Sequence, residues 1–176
     1  MNNKEQVILV DQQDQAIGAA DKLTVHQQGL LHRAFSVFIF RNNNTELLLQ
    51  QRHKDKYHSS NLWTNTCCSH PRPNENIIAA AERRLTEEMG LHIKLTLVGN
   101  FTYTAEFNNG LIEHEFDHVL IGQYNNEPII INPLEVANYE WLTIKKLLEN
   151  IQTDEHSYTP WLAKALAIAL TDKSHE

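Results

Sequence analysis

The segment that most constrains this chain is an amphipathic stretch, residues 77–89, which carries strong helix signals at both ends. Its apolar residues recur at three- and four-residue spacing, the pattern of a helix with one buried face. Asn74 or Asn76 can cap the first turn, and Gly90 supplies the left-handed residue that ends many helices. The pattern predicts one helix with a single face packed on a core.

The stretch before this helix carries side chains suited to chemistry. An extended run over residues 66–70 contains Cys67, Cys68 and His70, and a proline-bracketed turn joins it to the helix. Side chains alternate along an extended chain, so Cys68 and His70 point to one face and Cys67 to the other. The pattern indicates that one cysteine of the pair shares a site with His70.

The rest of the chain alternates strand-like runs with turn signals. One hairpin is predicted over residues 7–20 and a second over residues 30–51, followed by a polar loop, residues 53–62. Further strands are predicted at 93–98, 101–107, 111–124 and 136–141, and helices at 144–148 and 160–170, with Pro160 at a first helical position. These elements predict one domain, residues 1–176, of mixed α/β (α+β) class, with sheets sandwiched between helices.

Composition excludes several classes of function. A net charge of −7 argues against general nucleic-acid binding, which needs a basic face. No stretch approaches the roughly 20 apolar residues that span a bilayer, so we expect no membrane association. The amino terminus lacks the features of a secretory signal, and adjacent cysteines cannot staple a fold, so we expect a cytoplasmic protein with free thiols.

A possible metal site is dispersed along the sequence. Alternation along residues 111–119 places Glu113 and Glu115 on one face of a strand. Together with three imidazoles they form a ligand set suited to Zn²⁺ or Mn²⁺. Spacing alone does not show that these residues meet, and an exposed or partner-bonded histidine is the more common finding. The three imidazoles are those of His26, His32 and His70.

The predicted helix suggests a second, anionic ligand site. Glu87 and Glu88 near its end are suited to a Mg²⁺ ion that bridges phosphate oxygens. The alternative is that Arg83 and Arg84 merely pair with them at four-residue spacing on a solvated face. Cations near these segments can neutralise a diphosphate, although each alone is more typical of a surface charge. These cations are Lys22, Arg52, Lys56 and Arg83.

Residues 69–91 resemble the Nudix box, G-x5-E-x7-R-E-U-x-E-E-x-G-U, where U is apolar. The segment departs from it at Ser69, in place of the first glycine, and at Arg84, in place of a glutamate. In Nudix hydrolases that glutamate belongs to the acidic cluster that binds metal for pyrophosphate attack, so Arg84 counts against a hydrolase. The matching residues are Glu75, Arg83, Leu85, Glu87, Glu88, Gly90 and Leu91.

Both departures fit one subgroup of the superfamily. WTNTCCSHP, the spaced histidines at His26 and His32, the ExE at Glu113 and Glu115, and a late SYTPW resemble the type 1 isopentenyl-diphosphate delta-isomerases. This similarity runs from about residue 7 to residue 161. It implies a Nudix-like fold with a core at about 30–163, and interconversion of isopentenyl and dimethylallyl diphosphates in isoprenoid biosynthesis.

The resemblance also implies roles for individual residues. Cys68, Glu115 and Tyr103 are expected to be catalytic, and Glu88 is expected to bind Mg²⁺ with the diphosphate. His26, His32, His70, Glu113 and Glu115 are expected to hold one Mn²⁺ or Zn²⁺. Lys22, Arg52, Lys56, Arg83 and Trp161 are expected to bind substrate. The implied partner is a small prenyl diphosphate, and the implied oligomeric state is a monomer or weak homodimer.

Two other functions stay open. One is a Nudix pyrophosphohydrolase acting on a nucleoside diphosphate derivative, and the other is a catalytically silent metal-binding domain. From the sequence alone, Trp161 is also consistent with core packing. Asp117 is a candidate for orienting an imidazole if it shares the face of Glu113 and Glu115. The remaining histidines, assigned to loops or surfaces, are His53, His58, His92, His114, His118, His156 and His175.

Overall fold

The structure, a computed structural model, describes residues 5–56 and 58–171. Its strands are β1 Gln6–Val10, β2 Ala16–Asp21, β3 His32–Arg41, β4 Glu46–Arg52, β5 Trp63–Thr64, β6 Cys67–Ser69, β7 Thr96–Glu106, β8 Ile112–Gln123 and β9 Val136–Thr143. Its helices are α1 Lys22–Gln28, α2 Ile77–Met89, α3 Ile144–Thr153 and α4 Leu162–Ala169, with a 3-10 turn at Glu155–Ser157.

Strand β3 is the centre of the sheet. It runs parallel to β8 along its length, while β1, β6 and β4 pair antiparallel with its start, middle and end. Strand β7 pairs antiparallel with β8, and β9 with β4. In this register His32 on β3 and Tyr103 on β7 both lie opposite Glu115 on β8. Residues in register on adjacent strands share a face, so three strands present these side chains together.

Apolar clusters cover both faces of this sheet. One cluster packs Leu85 and Met89 of α2 against the sheet, and the other packs Leu147 of α3 and Leu166 of α4 against the opposite face. All four side chains are fully buried. The sheet therefore lies between helices, which confirms the predicted α+β class.

The predicted central helix is confirmed at both ends. The side chain of Asn76, rather than that of Asn74, caps α2 by accepting hydrogen bonds from the backbone N–H groups of residues 78 and 79. Gly90 ends the helix at φ 71°. A Cβ added there would lie 2.8 Å from the carbonyl oxygen of Ile130, so the position requires glycine for both its conformation and its space.

Four local predictions need correction. Helix α1 was not predicted, because a seven-residue segment is too short to display helical periodicity. The two strands predicted at 93–98 and 101–107 are one strand, β7, which runs from Thr96 to Glu106 and contains a bulge near Gly99. Helix α3 continues to residue 153, beyond its predicted end. Pro160 lies before α4, because residues 158 and 159 are held extended beside Trp63.

No helix among the described residues is both long enough and apolar enough to cross a membrane.

Candidate active site

Five dispersed residues meet in one buried cluster beside β8. The Nε2 of His70 lies 2.9 Å from Oε1 of Glu115 and 3.2 Å from Nε2 of His32. The Nε2 of His26 lies 3.3 Å from Oε1 of Glu113. One potential ligand atom from each of the five residues lies within 4.8 Å of every other. The structure thus brings together the three imidazoles and two carboxylates that the sequence leaves far apart.

Backbone carbonyl groups orient two of these imidazoles. His26 Nδ1 lies 2.6 Å from the carbonyl oxygen of Lys22, and His32 Nδ1 lies 2.9 Å from that of Leu30. A carbonyl oxygen only accepts, so each Nδ1 carries the hydrogen and donates it. The Nε2 of each ring then faces the cluster, which is the orientation found in metal-binding histidines.

The charges within the cluster suit a divalent cation. Burial by itself raises the pKa values of Glu113 and Glu115, but hydrogen bonds from imidazoles bring both pKa values below the ordinary range. Burial also lowers the pKa of His70 to about 4 and keeps its ring neutral. Glu113 Oε2 and His70 Nδ1 are buried without hydrogen-bond partners among the described residues. Three imidazoles, two carboxylates and an unpaired buried oxygen fit a bound metal ion.

A cavity of about 430 Å³ opens beside this cluster. Cys68 reaches it from β6, Tyr103 from β7 and Glu115 from β8, while Trp161 lines it from the segment before α4. Strands β6 and β8 pair with opposite edges of β3, so thiol and carboxylate approach one space from different strands. All the predicted catalytic residues therefore line a single cavity.

The two cysteines are separated as alternation predicts. Cys67 belongs to the apolar cluster under α2 and is fully buried, whereas Cys68 lines the cavity. Burial raises the pKa of the Cys68 thiol to about 12, so the group is protonated at neutral pH. Thr64 Oγ1 lies 3.9 Å from its sulfur. Cys68 therefore presents a protonated thiol to the cavity.

Tyr103 and Trp161 form an aromatic wall of the cavity. Tyr103 donates its hydroxyl hydrogen to Glu115 Oε2 at 2.6 Å, and burial together with this carboxylate raises the pKa of Tyr103 well above its ordinary value. The ring centroids of Tyr103 and Trp161 are 6.1 Å apart. The Trp161 Nε1–H donates to Asn65 Oδ1 at 3.3 Å, which fixes the indole in the wall.

The cationic side chains at the cavity rim are paired with carboxylates. Lys22 lies 3.2 Å from Glu5, and Lys56 contacts Glu135. Arg52 differs, because its guanidinium donates to backbone carbonyls and lies 5.5 Å from the Trp161 ring centroid. The four predicted diphosphate-binding cations Lys22, Arg52, Lys56 and Arg83 all line the cavity.

The two arginines of α2 make different contacts. Arg83 is held by Glu75 at 2.7 Å and by Glu87 at 3.2 Å. Arg84 Nη2 lies 2.5 Å from Glu88 and 3.4 Å from Glu135. Both line the cavity. Both predicted pairs at four-residue spacing exist; the Arg83–Glu87 pair is exposed, as on a solvated face, whereas the Arg84–Glu88 pair is largely buried.

Glu88, the predicted Mg²⁺ ligand, is buried behind the cavity wall. Its carboxylate accepts hydrogen bonds from Gln50 Nε2 at 2.9 Å and from Arg84 at 2.5 Å. Only 2% of the residue is exposed. A buried carboxylate close to the lysine and arginine side chains of the cavity is consistent with the predicted role in Mg²⁺ binding.

Two histidines are not the surface residues that the sequence predicts. His58 is buried against Glu113, with its Nε2 2.6 Å from Oε1 of that residue. His118 is buried between the Ala34 carbonyl and Asp14, at 3.2 Å and 3.0 Å. His58 does lie in a loop, as predicted, but it is buried; His118, on β8, is neither in a loop nor at the surface. Both burials arise from contacts between residues distant in sequence. His175 lies outside the described residues.

Asp117 lies on the same buried side of β8 as the two glutamates. Its hydrogen-bond partner is a serine, however, and not the imidazole that the sequence suggested. Ser36 Oγ donates to its Oδ2 at 2.7 Å, while Oδ1 has no hydrogen-bond partner among the described residues. Burial, and then the charge of Glu115, raise the pKa of Asp117 well above its ordinary value. Both effects favour the protonated form of the Asp117 carboxyl group.

Arg84 and Glu135 also line the cavity and were not predicted to do so. In the sequence, Arg84 is a departure from the Nudix box. Its four-residue spacing to Glu88 was the one feature that could have indicated that the two side chains lie together. Glu135 lies in the turn before β9 and carries no periodic signal.

Comparison with protein families identifies the relatives of this chain. A family model for the NUDIX domain matches residues 30–162. The chain is 50% identical over 162 residues to the isopentenyl-diphosphate Delta-isomerase 2 of Photorhabdus laumondii, covering 92% of this chain and 90% of that relative. It is 45% identical over 171 residues to the isopentenyl-diphosphate Delta-isomerase 2 of Aromatoleum aromaticum, covering 97% and 89%. The isopentenyl-diphosphate Delta-isomerase of Photobacterium profundum is 44% identical, with 98% of each chain covered.

Solved structures share the fold at much lower identity. DR0079 from Deinococcus radiodurans superposes with a TM-score of 0.74 at 18% identity, covering 93% of this chain and 99% of that one. A MutT protein from Methanosarcina mazei Go1 gives a TM-score of 0.58 at 18% identity, covering 68% and 81%. These similarities establish a common architecture.

Proposed function

The chain belongs to the isopentenyl-diphosphate Delta-isomerase family of NUDIX-domain proteins, and from this premise we propose that it interconverts isopentenyl and dimethylallyl diphosphates in isoprenoid biosynthesis. One proton is added to the terminal methylene carbon of isopentenyl diphosphate. Another proton is lost from the methylene carbon on the other side of the tertiary centre. The double bond moves by one position, and the composition of the molecule is unchanged.

The observation that carries this proposal is the shared cavity of Cys68 and Glu115. A shift of a double bond by addition and loss of protons needs two proton-transfer groups around one carbon skeleton. Strands β6 and β8 supply a thiol and a carboxylate from opposite edges of β3. We assign Glu115 to one proton transfer and Cys68 to the other.

An alkene is a very weak base, so its protonation needs a strong acid held close in a pocket that excludes water. The cavity provides buried groups for this purpose. Tyr103 donates a hydrogen bond to Glu115 at 2.6 Å and so fixes the carboxyl group. The thiol of Cys68 stays protonated near neutral pH because burial raises its pKa to about 12. The proton balance requires that one of the two groups donates a proton to the alkene while the other accepts the proton that is lost from carbon.

The intermediate of this reaction is a tertiary carbocation, which water would trap. Trp161 supplies an aromatic face, and such a face attracts a cation by about 2 kcal/mol or more when water is excluded. The indole is 3% exposed and is fixed by its hydrogen bond to Asn65. We propose that Trp161 lies against the cationic carbon.

We propose that the histidine and glutamate cluster holds one Mn²⁺ or Zn²⁺. Bound there, the ion supplies positive charge that makes an adjacent carboxyl group a stronger acid. The role of the protein is to hold two imidazoles by backbone carbonyls and to keep Glu113 and Glu115 ionised. The proposed ligands are His26, His32, His70, Glu113 and Glu115.

We propose that the cavity rim binds the diphosphate. Among the described residues, six lysine and arginine side chains line the cavity, and such groups form charge-assisted hydrogen bonds with phosphate oxygens. A Mg²⁺ ion held with the help of Glu88 would neutralise the remaining phosphate charge. The proposed diphosphate ligands are Lys22, Arg52, Lys56 and Arg83.

We further propose that one chain, or a weak homodimer, acts in the cytoplasm. All of the proposed site residues come from a single chain, so no second copy is needed to complete the cavity. Both cysteines are free thiols, as a reducing compartment would keep them. Light scattering after size-exclusion chromatography tests the oligomeric state.

The test of the main proposal is conversion in deuterated water. The metal-loaded protein is incubated with isopentenyl diphosphate and followed by NMR. We expect dimethylallyl diphosphate that has acquired deuterium, with no release of inorganic phosphate. The competing hydrolase predicts cleavage of nucleoside diphosphate derivatives. The pairing of Arg84 with Glu88 disfavours it, because a cation occupies the place of an expected acidic metal ligand.

A further inference from the structure

His58 lies in the loop between β4 and β5, yet its side chain is only 4% exposed. Its Nε2 lies 2.6 Å from Oε1 of Glu113. Burial lowers the pKa of His58 despite the opposing effect of this carboxylate. An ionised carboxylate only accepts hydrogen bonds, so Nε2 of His58 carries the hydrogen and donates it to Glu113.

This contact gives the two oxygens of Glu113 different environments. Oε1 accepts from His58 and lies 3.3 Å from the Nε2 of His26. Oε2 lies 3.9 Å from the Nε2 of His32 and has no hydrogen-bond partner among the described residues. A rotation of the carboxylate would break the short contact with His58. The contact with His58 therefore keeps Oε2 of Glu113 turned toward the imidazole of His32.

The imidazole of His58 is itself held from several sides. Its ring stacks on Phe107 with centroids 4.7 Å apart and meets the Trp161 ring edge-on at 6.2 Å. Arg52 donates hydrogen bonds to the backbone carbonyls of His58 and Ser59, both at 3.1 Å. Because ring packing and backbone hydrogen bonds hold the His58 imidazole in place, its hydrogen bond can fix the orientation of the Glu113 carboxylate.

We propose that His58 is a positioning residue for Glu113. It holds Oε1 so that Oε2 faces the divalent ion, and it ties the loop carrying Lys56 to the metal cluster. The same loop thus reaches the diphosphate rim through Lys56 and the metal cluster through His58. This inference rests on the metal site of the proposed function and adds a residue outside the ligand set.

The experiment measures Mn²⁺ binding to the metal-free protein by electron paramagnetic resonance, without substrate. His58→Phe keeps an aromatic ring against Phe107 but removes the donor, and His58→Gln retains an N–H donor. Loss of a group that orients a metal ligand typically costs 10–100-fold in affinity. We expect a loss of at least about tenfold for His58→Phe and recovery to within about threefold for His58→Gln. His53→Gln, on the same loop, is the matched control and should bind as the wild type does.

Three results separate the possibilities. Wild-type affinity in a folded His58→Phe variant overturns the inference while leaving the metal site intact. Equal weakening by Phe and Gln, with one fewer imidazole in the electron spin echo modulation of bound Mn²⁺, makes His58 a ligand and overturns the positioning role. No binding by the wild type defeats the proposed metal site itself. If circular dichroism shows that the Phe variant is unfolded, His58→Asn, whose amide is too short to reach Glu113, replaces it with the same expected loss.

Discussion

Cys67 and Cys68 are neighbours in β6, yet their thiols lie in different parts of the fold. Cys67 is packed in the apolar cluster beneath α2, and Cys68 lines the cavity that also contains Glu115. Two residues of identical chemistry therefore differ in position alone, which makes them a matched pair for testing the proposed proton transfer.

Cys68→Ala is expected to abolish most of the isomerisation, whereas Cys67→Ala is expected to retain it. A positioned proton-transfer group contributes roughly 10²–10⁴-fold to rate, so the Cys68 variant should lose activity in that range. Cys67→Ala removes only core packing and should lower the melting temperature with kcat within about threefold. The measurement is deuterium incorporation into dimethylallyl diphosphate by NMR. Equal activity of the two variants would remove the assigned role from Cys68.

Tyr103→Phe is expected to lower kcat about 10–100-fold with a smaller change in KM. The substitution removes a 2.6 Å hydrogen bond to Glu115 and keeps the aromatic wall. A hydrogen bond to a charged group is worth about 1.5–3 kcal/mol, which corresponds to this range. Tyr139→Phe on β9, which is partly exposed, makes the same chemical change away from the cavity and serves as the control. An unchanged kcat for Tyr103→Phe would contradict the prediction.

Arg83→Gln is expected to raise the KM for isopentenyl diphosphate about tenfold or more. Arg83 is a proposed diphosphate ligand that lines the cavity, and glutamine lacks the charge that attracts phosphate. Arg41→Gln, whose guanidinium lies over Trp141 at 4.1 Å, is the control in the same steady-state assay. An unchanged KM for Arg83→Gln would remove this residue from the proposed diphosphate site.

Adding Mn²⁺ to the metal-free protein is expected to raise the free energy of unfolding. An ion that binds only the folded state at about 100 times its Kd adds about 2.7 kcal/mol. Urea titrations with and without Mn²⁺ measure this gain. Glu115→Gln should remove most of it, while Glu149→Gln on the exposed side of α3 should preserve it. A full gain in the Glu115 variant would exclude that residue from the metal site.

Asp117→Asn is expected to make the metal-free protein more stable near pH 7. The folded pKa of Asp117 is raised by burial, while its unfolded pKa is about 3.9. Between these two values the folded state binds more protons, so the wild type loses stability as pH rises. Asparagine keeps an oxygen for Ser36 and has no such loss.

The advantage of Asp117→Asn should therefore be small near pH 4 and should grow toward pH 7. Urea titrations at several pH values measure it on metal-free protein. Asp154→Asn, at an exposed position, should show no comparable trend. A constant difference across this range would show that Asp117 has the same protonation in both states.

Short-range rules predicted the parts of the site that lie on regular elements. The alternation of an extended chain correctly separated Cys67 from Cys68 and placed Glu113 and Glu115 together. Helical spacing and caps defined α2 to its terminal residues. In these cases the geometry of one element is enough, because a period of two or of 3.6 fixes which side chains share a face.

Contacts formed between distant loops and strands could not be read in the same way. The loop that carries His58 has no periodicity, and its partner Glu113 lies on β8, far along the sequence. His118 was assigned to the surface for the same reason, although Asp14 in the first hairpin covers it. Such contacts depend on how the hairpins fold over β3, which local patterns do not encode. The family resemblance supplied the metal ligands, but His58 lies outside that resemblance.

The pairing of Arg84 with Glu88 has a chemical outcome for the molecule that leaves the cavity. With a guanidinium where the Nudix box carries a metal-binding acid, we expect the phosphoric anhydride to stay intact. The five-carbon product keeps its pyrophosphate group, now attached next to a double bond. An allylic ester of this kind ionises readily. An arginine in place of a glutamate on α2 would thus preserve the leaving group that lets the product alkylate another molecule and form a carbon–carbon bond.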